Sequence, residues 1–176
     1  MKIIKGFAIM AVVAIIFTSC VGIPEGVTAV QNFNKDKYLG KWYEIARFDF
    51  RFERNLDNTT AQYSINPDGS IKVLNQGYNY VKKEWDSAEG KAKFIGSESE
   101  ARLKVSFFGP FYAGYNVVDI DENYQNALIY GNSTEYMWIL SRNKTIDEAT
   151  KKRFVEKAKK DGFDVSKLIW VNHNKD

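Results

Sequence analysis

From Tyr38 onward the chain is divided, roughly every 8 to 14 residues, by turn signals that separate short apolar or alternating runs, a rhythm that leaves only an antiparallel sandwich or barrel. Eight runs stand out, at residues 42–50, 59–65, 71–78, 88–95, 102–108, 112–120, 126–130 and 136–141. Between the second and third, Asn66-Pro67-Asp68-Gly69 puts proline where φ near −65° is wanted and glycine at the exit, which fixes a hairpin. No helical crossover interrupts the series. The predicted fold is therefore all-β, an eight-stranded antiparallel up-and-down barrel whose interior admits one small ligand.

Gly40-Lys41-Trp42-Tyr43-Glu44-Ile45-Ala46-Arg47 opens the first strand with a glycine two residues before a tryptophan, and Arg142 follows the apolar run Met137-Trp138-Ile139-Leu140. A guanidinium laid over a desolvated indole gains about 2 kcal/mol. Gly40, Trp42 and Arg142 are thus expected to seal one end as a floor. Side chains alternate across a strand. Counting by twos from the floor places Glu44, Ala46 and Phe48 inside on the first strand, and Leu140, Trp138 and Tyr136 inside on the eighth. Apolarity assigns Ala92 and Phe94, then Leu103, Val105 and Phe107, then Tyr115 and Val117 to the remaining walls. Such a lining suits an acyl chain; the same side chains could also fill a closed core.

The termini carry different information. Lys2 and Lys5 precede an apolar run over residues 7–17, the pattern of an export signal and too short to span a bilayer. Phe17-Thr18-Ser19-Cys20 resembles the lipobox of bacterial lipoproteins, with Phe17 in place of the usual leucine. The expected organisation is a signal peptide over 1–19, a tether and lead-in over 20–34 that begins at a lipidated Cys20, and one domain over 35–176. Cys20 is the only cysteine, so stability must come from the core. With 25 basic against 22 acidic residues, two of the basic ones in the signal, the chain has no electrostatic footprint for nucleic acid.

At the other end Thr145-Ile146-Asp147-Glu148 reads as a capping box and Gly162 as a stop. The helix between them is expected to pack Ala149, Phe154, Val155 and Ala158 on the outside of the barrel, before a short final strand over 165–171. His173, the lone histidine, reads as solvated. Neither a metal site nor a cofactor is expected.

Taken together, the Gly40 to Arg47 opening, Trp138-Ile139-Leu140-Ser141-Arg142, the late helix and Lys167-Leu168-Ile169-Trp170-Val171 resemble the bacterial outer-membrane lipocalins and the apolipoprotein D-like branch of the same family. Phe48-Asp49-Phe50-Arg51-Phe52-Glu53-Arg54 and Lys104-Val105-Ser106-Phe107-Phe108-Gly109-Pro110-Phe111-Tyr112 look specific to the bacterial branch. One family pattern is altered: Asp121-Glu122-Asn123-Tyr124 stands where Thr-Asp-Tyr is usual. The resemblance implies a calyx for a lipophilic molecule, anchored at the periplasmic face of a Gram-negative outer membrane, a destination with which Val21 after the cysteine agrees. It also places Tyr63 and Asn75 inside, with Ala61, Ile65, Val73 and Gly77. The open-end connections would then hold Phe50, Phe52, Tyr78, Tyr80, Trp85, Phe108, Phe111 and Tyr112, together with Arg51, Arg54, Lys82 and Lys83. Two functions remain at this point. One is a non-enzymatic carrier of fatty acids or lysophospholipids for envelope maintenance or lipid recovery; the other is a lipid-anchored enzyme acting on an envelope or oxidised lipid, with Glu44 as acid or base. The apolar rim could also support a homodimer.

Overall fold

The alternating runs close into a ring. In the computed structural model, which describes residues 21–175, a single turn α1 (Lys35–Tyr38) leads into β1 (Gly40–Phe48), β2 (Leu56–Ile65), β3 (Ile71–Asn79), β4 (Glu84–Phe94), β5 (Arg102–Phe108), β6 (Phe111–Ile120), β7 (Asn126–Tyr130) and β8 (Met137–Ser141). Neighbours pair antiparallel throughout, and β1 closes the ring by pairing with both β2 and β8. Closure removes the exposed edges of an open sheet. Helix α2 (Glu148–Lys160) then packs outside, and β9 (Leu168–Trp170) pairs with β1.

The hairpins obey their turn chemistry. Gly69 adopts φ +78° after Pro67-Asp68, and Asp68 accepts from the Ser70 amide at 3.0 Å. At the turn after β6 the Asp121 carboxylate accepts from the amides of Asn123, Gln125 and Asn126, so this aspartate organises the connection without the usual family triplet. β4 begins four residues before the predicted start. Tyr78 and Trp85 consequently form a cross-strand pair on the outer wall, rings 5.7 Å apart, rather than belonging to a mouth loop.

The closed end has the expected composition. Trp42 is fully buried, the Arg142 guanidinium lies 3.9 Å from its ring centre, and α1 crosses beneath them. Arg142 also donates to the carbonyls of Lys37 (2.8 Å) and Leu39 (2.8 Å) at the end of α1 and of Lys41 (2.7 Å) at the start of β1. Gly40 has φ +94°, and a Cβ there would stand 3.3 Å from Arg142 Nη1. Both backbone conformation and space therefore call for glycine.

Above the floor β1 departs from simple alternation. Glu44 opposes Leu140, but Ala46 opposes Ile139, so Ile45 is an extra residue in a bulge. The slip reverses the faces of the next three residues. Ala46 and Phe48, expected inside, turn outward and pack with Ile139, Tyr130 and Phe163 beneath α2; Arg47 turns inward instead. Ile65, also expected inside, sits at the end of β2 past the floor and is exposed.

Helix α2 starts two residues later than the capping box implies. Asp147, not Thr145, is the N-cap, accepting from the Thr150 amide at 2.9 Å. Phe154 and Ala158 are its buried residues, whereas Ala149 is exposed in the first turn. The helix ends as expected: Gly162 at φ +89° allows the amides of Gly162 and Phe163 to reach the carbonyls of Lys159 (3.1 Å) and Ala158 (3.0 Å).

Residues 21–34 are laid against the barrel rather than forming a loose tether. Pro24, Val27, Ala29 and Phe33 are buried, Val30 bonds to Val117 and Ala101, and Asn116 Nδ2 holds the Gly22 carbonyl at 3.1 Å. The signal segment 1–19 and Cys20 lie outside the described residues. The C-terminal tail is equally fixed. β1 and β2 pair only as far as Tyr43 and Thr60, and the tail fills the gap above, with Val171 bonded to Ile45 and Asn172 to Asn58. His173, expected to be solvated, is half-buried there. Its Nε2 donates to the Glu44 carbonyl at 2.8 Å, and burial lowers its pKa.

Arg142→Ala removes the cation from Trp42 and orphans several carbonyls at once. Urea unfolding should register a loss of about 3 kcal/mol.

Candidate functional site: the barrel interior

Apolar and polar side chains share the interior of the barrel. Val73, Ala92, Leu103 and Val117 are buried, and Phe94, Val105 and Phe107 pack against them while remaining partly accessible. Gly90 makes this possible, since a Cβ there would stand 2.8 Å from the Phe107 ring. Large side chains that point inward and still touch solvent mark an interior that is not packed shut.

Polar groups stand among these side chains, Tyr115 paired with Leu103 and Tyr63 with Val73. Near the floor three phenols form a chain, Tyr38 to Tyr115 at 2.6 Å and Tyr115 to Tyr63 at 2.8 Å. Three hydroxyls joined by two hydrogen bonds keep one proton for another acceptor. Burial pushes all three phenols above their ordinary pKa, so they stay neutral donors. Asn75, opposite Ala61 in the sheet, shares this interior face, and its Oδ1 has no partner. Higher up, Glu44 Oε1 accepts from Arg47 Nη1 at 2.8 Å; Arg47 Nη2 is bound to the carbonyls of Glu53 (2.8 Å) and Leu56 (2.9 Å). Glu53 comes down from the β1–β2 connection, and its Oε2 accepts from Trp138 Nε1 at 3.0 Å. Two buried carboxyls therefore share one guanidinium. Burial raises the Glu44 pKa, the nearby Glu53 charge adds to this, and Arg47 opposes it; Glu53 is raised by burial as well.

At the mouth Phe50 stands edge-on to Tyr136 and Trp138, centroids 6.2 and 5.8 Å away, while Phe52 reaches Phe108 across the opening at 5.9 Å. Phe108 and Phe111 are largely exposed.

Of the residues assigned to the interior from sequence, Glu44, Tyr63, Asn75, Phe94, Val105, Phe107, Tyr115, Trp138 and Leu140 line it, with Tyr136 at its rim. Ala46 and Phe48 do not. Arg47, Glu53 and Tyr38 join the lining without a counterpart among the sequence assignments. Alternation puts Arg47 on the outer face, and no periodicity can show that a loop glutamate folds inward; the only sequence signal is a charged residue set among the aromatics of Phe48-Asp49-Phe50-Arg51-Phe52-Glu53-Arg54.

A β-barrel sealed at one end by its own floor, its interior lined by both apolar and polar side chains, is the architecture of a calyx-type binding protein. Residues 33–173 match the family model described as a lipocalin-like domain. The chain is 52% identical over 164 residues to the outer membrane lipoprotein Blc of Citrobacter freundii, covering 93% of each, and 54% identical over 148 residues to the outer membrane lipoprotein Blc of Escherichia coli (strain K12), covering 84% of each. Insecticyanin from the tobacco hornworm Manduca sexta superimposes with a TM-score of 0.67 at 21% identity, over 86% of this chain and 87% of that one, a likeness of fold. The chain belongs to the lipocalin family.

The raised Glu44 carboxyl gives a pH signature. Its folded pKa stands above the ordinary value of 4.5, so the native state holds the proton more tightly, and stability contributed by the protonated form is lost as pH rises through the folded pKa. Glu44→Gln mimics the protonated group. Its melting temperature relative to wild type should therefore rise as the pH is raised above the ordinary carboxylate range; a difference independent of pH would mean that Glu44 is ionised throughout.

Proposed function

We propose that this chain is a lipid-anchored outer-membrane lipocalin, facing the periplasm of a Gram-negative bacterium, that binds and carries fatty acids or lysophospholipids for envelope maintenance or lipid recovery. The observation that carries the reading is the accessible apolar wall of Phe94, Val105 and Phe107 inside a barrel closed at one end. A single acyl chain fits such a wall, and each methylene buried contributes about 0.8 kcal/mol before the cost of ordering the chain. The names of the relatives support the destination, and the lipobox-like Phe17-Thr18-Ser19-Cys20 supplies a site for the anchor. Binding rather than catalysis is favoured because Glu44, the candidate acid or base, is already engaged by Arg47. The exposed Phe108 and Phe111 offer a contact should two copies associate.

Protein purified from envelopes should carry a single-chain lipid detectable by mass spectrometry, and a fluorescent lipid should be displaced by lysophospholipid. A ligand-free protein that lysophospholipid and fatty acid both fail to enter would overturn the reading. Trp138→Ala should weaken the fluorescent lipid about tenfold, since burial of one large aromatic contact is of that order. Phe48→Ala tests the bulge. Under α2 the substitution should cost about 3 kcal/mol of stability in urea with lipid affinity retained, whereas a residue lining the interior would lose affinity.

A further inference from the structure

The mouth of the calyx carries groups that discriminate between lipid end-groups. Glu44 and Glu53 are both buried, and with both ionised the single Arg47 guanidinium leaves one negative charge uncompensated. Arg47 has little left to offer. One Nη serves Glu44, the other serves two carbonyls, and Nε stands 3.9 Å from Glu53 Oε2 without forming a hydrogen bond. An uncompensated buried charge is costly, and burial accordingly raises the pKa of both carboxyls.

Beside Glu53 stand Phe50, Tyr136 and Trp138, all partly exposed, with Tyr136 and Trp138 nearly parallel at 6.4 Å and Phe50 edge-on to both. Aromatic faces next to a carboxylate attract ammonium groups. Basic residues of the rim are not gathered to receive an anion: Arg54 pairs with Asp49 at 3.0 Å, Lys82 with Glu84 at 3.6 Å, and Arg51 lies over the Phe52 ring at 4.4 Å.

We propose that the mouth is an ammonium site, in which the cationic end of a single-chain amphiphile stands against Phe50, Tyr136 and Trp138 and compensates the Glu44–Arg47–Glu53 cluster while its tail lies on the apolar wall. The assignment rests on the lipid-binding reading of the same barrel. It makes Glu53 a specificity-determining residue and ranks an ammonium end above a free carboxylate, which adds no compensation to the cluster.

Displacement of a fluorescent single-chain lipid by hexadecylamine, hexadecyltrimethylammonium, hexadecanol and palmitate, four amphiphiles of one chain length, tests it directly. At neutral pH both ammonium compounds should bind wild-type protein at least about tenfold more tightly than palmitate. Glu53→Gln should shrink that gap severalfold, with hexadecanol as the uncharged reference for each protein. Equal or tighter binding of palmitate by wild type overturns the proposal, and so does a gap that persists in both Glu53→Gln and Glu44→Gln. The wild-type ranking decides the matter even if neither variant folds. When none of the four displaces the probe, the lipid-carrier reading fails; when all four bind equally, only the ammonium site does.

Discussion

Arg142 holds the closed end together by meeting two demands with one group. Its guanidinium covers the buried Trp42 ring at 3.9 Å and gathers carbonyls from the turn of α1 and from Lys41, tying both to the end of β8. Only Gly40, with its left-handed backbone and missing Cβ, leaves room for this arrangement. Because the floor is built from the start of β1 and the end of β8, it also pins the seam where the barrel closes. The register of the whole ring is referred to that point, and the ring has a bottom because of it.

The seam above the floor is built differently. β1 and β2 part after Tyr43 and Thr60, and the C-terminal tail takes up the hydrogen bonds that both strands leave open. A bulge at Ile45 accompanies the change, reversing the faces of Ala46, Arg47 and Phe48. The barrel thereby gains an apolar outer face for α2 and, in exchange, receives a buried guanidinium inside. That exchange makes the buried Glu44–Arg47–Glu53 cluster. Without the slip Arg47 would point to solvent, and Glu44 would lie buried with no cation beside it.

The interior is therefore mixed rather than a uniformly greasy cup. Phenols, Asn75 and the Glu44–Arg47–Glu53 cluster stand among aliphatic and phenylalanine side chains. A chain-like molecule with a polar end can satisfy both kinds of group at once. The partly exposed aromatics around the mouth extend the apolar surface to the point where such a molecule would enter.

Periodicity and local chemistry account for the features that the sequence alone determined. Punctuated alternation implied eight antiparallel strands, Gly40, Trp42 and Arg142 implied the floor, and Asn66 to Gly69 and Gly162 implied a hairpin and a helix stop; all are present because each depends on residues close in sequence or on one strong pairing. Interior positions came from counting by twos on the first and eighth strands, from apolarity on the fourth to sixth, and from the family resemblance on the second and third. Counting failed at Ala46 and Phe48, since a bulge leaves no trace in a run as apolar on one face as on the other. The tertiary structure alone decided which face Arg47 takes, that Glu53 folds inward, that His173 is held against the wall and that residues 21–34 lie along the barrel. Glu53, His173 and residues 21–34 are held by partners distant in the chain, and Arg47 is turned inward by a bulge set in the pairing with β8; a charged residue is kept inside only when its counter-charge and hydrogen-bond acceptors are assembled there.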